Sequence, residues 1–168
     1  MNTWFRCYPR PWQLPLLIWG TTLLALLAGM DVLTHQHPIF LIPPFGATIS
    51  LLIYLPDQSV SQPLPVVVGS TMGAFAGSVA HLLFDGPWSA VAAATVVLVA
   101  LARLGLYHPP QVALSIYADL LHPGLWFAWG LVFPFTLVAV GSYACCSHYI
   151  TGWPQYPRRI AHDISRPS

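Results

Sequence analysis

Long apolar runs alternate with short polar stretches along this chain. Residues 12–33, 64–84, 88–105 and 125–149 are nearly continuous runs of Leu, Val, Ala, Phe and Trp, while 38–55 and 109–121 are shorter apolar runs. The polar punctuation is compact: Thr34-His35-Gln36-His37, then 56–63, then Asp85-Gly86-Pro87, then His122-Pro123-Gly124. An apolar run of about twenty residues matches the hydrocarbon core of a bilayer, roughly 30 Å thick. No run shows the strict two-residue alternation of a half-buried strand. The pattern predicts an all-α, polytopic helical membrane protein with six hydrophobic segments.

The two shorter segments share one irregularity. Each opens on a proline pair, Pro43-Pro44 and Pro109-Pro110. Proline has a fixed φ and no N–H, so a pair of them suits a helix entry and breaks a helix interior. The residue before the pair, Ile42 or His108, is driven to extended backbone. Laid over each other, 42–50 and 108–116 share the prolines and one alanine, Ala47 with Ala113. Each broken segment also lies between a longer apolar run before it and another after it. The chain therefore reads as two three-segment repeats, about 12–84 and about 88–149, with the middle segment of each broken at Pro-Pro. A leader, 1–11, precedes this single transmembrane domain, 12–149, and a polar tail, 150–168, follows it.

Composition narrows the class. The chain has 168 residues, 56% of them hydrophobic and 7% charged, and its mean hydropathy is +0.65. That balance excludes a soluble globular domain. A net charge of +1, with no basic run interleaved with aromatics, argues against nucleic acid. Cys7, Cys145 and Cys146 form no CxxC pair, so neither a metal nor a disulfide framework is expected. No cofactor is indicated. All six basic residues are arginine; Arg6 and Arg10 precede the first run, and Arg158, Arg159 and Arg166 follow the last. With both groups cytoplasmic the number of crossings is even. Six crossings also put Arg103 on that side, whereas four put it outside; the arginines favour six. This predicts an integral protein of a bacterial inner membrane with both termini cytoplasmic.

Candidate chemistry gathers at the breaks. A helix that starts inside a membrane presents N–H groups and about half a positive charge, which makes an anion site without a formal cation. Paired broken helices near the midplane are a common transporter device. We expect a small anion to bind near Phe45, Gly46, Ala47 and Thr48 on one side and Gln111, Val112 and Ala113 on the other, with Arg103 and His108 adding charge or donors. His108, Asp119 and Asp31 are candidates for proton coupling. Gly69, Gly73 and Gly77, spaced by four, lie on one helix face and allow close packing within or between subunits, including a homo-oligomer. No nucleophile motif, HExxH or carboxylate pair is present, so an enzyme is not expected. The alternative is a structural or accessory protein that assembles through the glycine face.

Pro44-Phe45-Gly46-Ala47-Thr48, Gln62-Pro63 ahead of the glycine-rich run, and His108-Pro109-Pro110 after an arginine resemble the HPP family of integral membrane proteins. The resemblance covers about 38–117. It departs from the family at Gln111-Val112, where Ala-Gly is usual, and at Val68-Gly69-Ser70, where many members have Gly-Gly-His. Members in cyanobacteria and plastids are associated with nitrite transport. The resemblance therefore implies an anion permease, with nitrite or a similar small oxyanion as its substrate.

Overall fold

The computed structural model describes residues 14–34, 39–84 and 86–158. Arg6, Arg10, Cys7, Arg159 and Arg166 lie outside the described residues, as do His35, His37, Asp85 and His162. The described residues form six longer helices, one 3-10 turn at Ser59–Ser61 and no strand. The helices are α1 (Leu14–Thr34), α2 (Pro43–Tyr54), α3 (Pro65–Leu83), α4 (Pro87–Arg103), α5 (Pro110–Leu121) and α6 (Phe127–Tyr149). Three of them, α1, α3 and α6, are long and apolar enough to cross a membrane. At 1.5 Å per residue α4 reaches about 25 Å, and α2 and α5 only about 18 Å each. The two broken helices thus need their extended leads to match their neighbours.

Contacts between the helices fix the direction of each. Ser89, in the first turn of α4, donates to Asp119, near the end of α5, at 2.8 Å. The second broken segment therefore returns antiparallel to α4 as far as the level where α4 began. The rings of His81 on α3 and His122 after α5 stack at 3.6 Å, and Ser78 donates to the Gly124 carbonyl, so α3 and α5 end together. Near the start of α1, Trp19 donates to Ser142 close to the end of α6. The segment after α6 reaches the 56–62 loop, where Tyr156 donates to the Ser61 carbonyl at 2.9 Å. One face of the bundle, here called proximal, thus carries the start of α1, the 56–62 loop, the 104–109 turn and the end of α6. The distal face carries 39–42, Gly86 and 122–126. The six helices alternate in direction, and the halves α1–α3 and α4–α6 run in opposite directions. Arg103 and Arg158 both lie at the proximal face.

The halves share a feature the apolar pattern does not carry. The third helix of each opens with a π-helical stretch, Pro65–Gly69 in α3 and Phe127–Val132 in α6. In α6, Pro134 follows at once; its missing N–H and its ring disturb the preceding turn, where a π-bulge is a recognised accommodation.

The centre of the bundle is the pair α3 and α5. A Cβ at Gly69 would overlap the Leu106 carbonyl and Gln111 Oε1, one at Gly73 would lie 2.6 Å from the Gln111 carbonyl, and one at Gly77 would overlap the Ser115 backbone. The glycine face is therefore filled by α5 of the same chain. Of the packing within or between subunits expected for this face, the structure shows the first, with the backbone of α5 occupying the space. On the other side α2 and α6 meet through larger groups, with the rings of Phe45 and Phe135 4.1 Å apart. Outward positions are apolar, among them Leu26, Leu82, Val91, Val96, Leu137 and Val138, as a surface in contact with lipid requires.

Residues 150–158, which follow α6, pack back on the bundle. Trp153 and Tyr156 are buried, packed edge-on against Tyr143 at 5.4 and 5.0 Å. The Arg158 N–H donates to Gln62 Oε1. Burial, and then the nearby Tyr143, push the Tyr156 phenol above its ordinary pKa, so it remains a donor.

Candidate functional site

Both proline pairs open helices, as their chemistry requires. Ile42 is extended (φ −100°, ψ 147°) ahead of α2, and Pro109 caps α5. The second break is the more deeply packed. Glycines on α3 let the 106–111 backbone approach closely, and the 56–62 loop closes over it from the proximal face.

His108 is fully buried at this point. Its Nδ1 lies 2.7 Å from the Val60 carbonyl and its Nε2 3.0 Å from Thr48 Oγ1. A carbonyl only accepts, so Nδ1 carries a proton and donates to it; in the neutral ring Nε2 then accepts from the Thr48 hydroxyl. Thr48 Oγ1 also lies 3.1 Å from the Pro44 carbonyl. One histidine thus ties the lead of α5 to the middle of α2 and to the loop between α2 and α3. The side chain of Gln111, one turn on, is also fully buried, and neither its amide nitrogen nor its amide oxygen has a hydrogen-bond partner in the protein. Its Oε1 lies against Gly69. Ser61 and Ser70, both buried, also have unpartnered hydroxyls.

Thr48 and His108 are joined by a hydrogen bond, and Gln111 lies one turn further along α5 with its side chain against Gly69; apart from this cluster the structure sets the other expected residues elsewhere. Phe45 is buried against Phe135. Gly46 is half-buried and Ala47 exposed on the outer side of α2. Val112 and Ala113 are half-buried. The N–H groups expected to cradle an anion are partly committed: Phe45 donates to the Ile42 carbonyl, Gln111 to that of His108 and Val112 to that of Pro109. A tight first turn uses these donors locally, as helix starts commonly do. Arg103 is exposed in the last turn of α4, where the helix dipole favours a cation, whereas the cluster is closed from the surface.

The two acids are also placed by the fold. Asp31 accepts the N–H groups of Ile39 and Phe40 at 3.0 Å and of Leu41 at 2.8 Å. It fixes the lead into α2. Asp119 is buried. Its Oδ2 accepts from Ser89, and its Oδ1 has no partner. The dipole at the C-terminus of α5 disfavours an anion there, but the N-terminus of α4, which carries Ser89, favours one. Among the described residues no group of three His, Cys, Asp or Glu side chains could hold a metal.

The Val60 carbonyl, the His108–Thr48 link and the packed Tyr156 were not foreseen from the sequence. Gln62-Pro63 marks the right loop, but nothing in the residue order says that its backbone reaches His108.

In a family comparison, the model of the HPP transmembrane region matches residues 10–157. No curated protein and no solved structure matches the chain. The match spans most of the 168 residues, and the chain belongs to the HPP transmembrane family.

Proposed function

We propose that this membrane protein transports a small inorganic oxyanion, nitrite in the first place, with the cluster of Thr48, His108 and Gln111 as the binding point along its path. The observation that carries the reading is Gln111: a polar amide, wholly buried at the break of α5, with both ends unpartnered. An unpartnered buried amide costs a few kcal/mol. Within a membrane, buried polar groups beside broken helices commonly mark a substrate route. The reversed halves supply two related walls for alternating access. The proximal face, with Arg103 and Arg158, is taken as cytoplasmic by the arginine rule, and Arg6, Arg10, Arg159 and Arg166 adjoin that end in sequence.

We favour transport over catalysis. The Thr48–His108 pair has the spacing of a nucleophile and base, but its third member is the Val60 carbonyl, where a triad has a carboxylate. The test is uptake of nitrite by proteoliposomes containing this chain alone, with nitrate, formate and chloride as competitors. Saturable uptake that nitrite competes for best supports the reading; no uptake by folded protein refutes it.

A further inference from the structure

We propose that Gln111 receives the neutral, protonated form of the oxoacid, HO–N=O for nitrite, and not the bare anion; this rests on the transport reading above. Charge and hydrogen-bond donors around the amide discriminate between the two forms.

A bare anion needs donors and positive charge; besides Gln111 the buried hydroxyls of Ser61 and Ser70 are open donors, which carry no charge, and the other groups around the break are committed elsewhere. The N–H groups of Phe45, Gln111 and Val112 are used by carbonyls of their own turns. His108 Nδ1 donates to Val60, and the Thr48 hydroxyl lies between Pro44 and His108. The groups nearest Gly69, where the amide lies, include the Leu106 carbonyl, whose oxygen is the negative end of a dipole. Ionisable side chains on the elements packed against α5 do not supply the missing charge. Tyr54 on α2 is exposed, His81 on α3 stacks with His122 at the distal end, and Arg103 on α4 is exposed at the proximal end. On α5 and its lead the ionisable groups are His108, held as above, Tyr117, half-buried, and Asp119, which accepts from Ser89. A dehydrated anion placed here would be a buried charge without a counter-charge.

The free groups of Gln111 have a different complement. An amide offers N–H donors and a carbonyl acceptor side by side. A bare oxyanion can use only the donors and is repelled by Oε1. A molecule with adjacent acceptor and hydroxyl uses both: Nε2–H donates to its terminal oxygen, and its own O–H donates to Oε1. The glutamine thus has the pattern for a weak oxoacid carrying its proton. Nitrite takes that proton from water on the side of entry, forming one O–H bond, and returns it to water on the side of release. No electrons move and no side chain titrates. Transport is then electroneutral, with one proton per nitrite, and the coupling resides in the substrate.

The experiment is initial nitrite uptake into proteoliposomes of the full chain, corrected for the diffusion of nitrous acid into protein-free liposomes. The membrane potential is clamped at zero and at about −100 mV with potassium and valinomycin. At fixed total nitrite the protein-dependent rate should fall about tenfold per pH unit, following the protonated acid. It should be the same at both potentials, carry one proton per nitrite, and keep this behaviour in Asp119→Asn. A protein-dependent rate that is flat with pH and changes with potential would overturn the inference and leave the transport reading standing. Loss of the proton in Asp119→Asn, with nitrite flux retained, would also overturn it, by placing the proton on a side chain. No protein-dependent rate at any pH or potential would remove the transport reading itself.

Discussion

Replacing Gly73 by alanine tests the packing that holds the second break in place. The new Cβ would lie 2.6 Å from the Gln111 carbonyl oxygen and 2.9 Å from Gln111 Cβ, where ordinary contact begins at 3.4 Å. The obstacle is helix backbone, so α3 and α5 must separate by about 0.8 Å, a gap that forfeits a quarter to a half of each dispersion contact along the seam. Overpacking of this kind costs about 1–3 kcal/mol. The helix propensity of alanine offsets up to about 1 kcal/mol of that. Gly141→Ala is the matched control: Gly141 also lies in a helix, and its Cβ would meet nothing within 4 Å. In thermal unfolding of detergent-solubilised protein, followed by tryptophan fluorescence, Gly73→Ala should lower Tm by roughly 5 °C and Gly141→Ala should leave it unchanged or slightly raised. Nitrite uptake should fall in the first variant alone, because Gln111 moves with α5. Equal Tm values for the two variants would refute the close approach of α3 to α5, and with it the placement of Gln111.

Thr48→Val removes the hydroxyl facing His108 Nε2 and leaves a buried acceptor unpartnered, a loss of about 1–3 kcal/mol read as a lower Tm, with reduced uptake; full stability and flux would show that the link is idle. Asp31→Ala frees the N–H groups of Ile39, Phe40 and Leu41. It should cost about 2 kcal/mol by the same measurement, and the effect on uptake should be a lower maximal rate without loss of pH dependence. Arg103→Gln should change the half-saturating nitrite concentration by no more than about twofold, since the side chain is exposed and apart from the cluster; a tenfold rise would return Arg103 to the site.

Much of the architecture is legible in the residue order because membrane helices announce themselves by length and hydropathy, and the proline pairs by their covalent chemistry. The start of α2 at Pro43 and the span of α5 to Leu121 follow from those rules. Partners are less legible. Gly69, Gly73 and Gly77 say that something approaches closely, but not that it is α5; that depends on which helix the short turns place alongside. The glycine face therefore gives no support to assembly through it. Asp31 looks like an isolated membrane acid until the chain folds back and sets three N–H groups against it. Arg103 is close in sequence to His108, but the chain turns between them, and the arginine stays outside. Trp153 and Tyr156 are hidden among polar residues; only the aromatic cluster with Tyr143 shows that they pack.

In the proposed transport Gln111 is the contact of the transported species. The most direct measurement compares nitrite uptake by proteoliposomes of the unaltered chain and of Gln111→Leu, at matched protein content and with Tm measured for both. Leucine removes an unpartnered amide from an apolar setting, so Tm should hold or rise while uptake falls at least about tenfold. Uptake unchanged by Gln111→Leu in a protein of unimpaired stability would contradict the site, and absence of uptake in both would contradict the function.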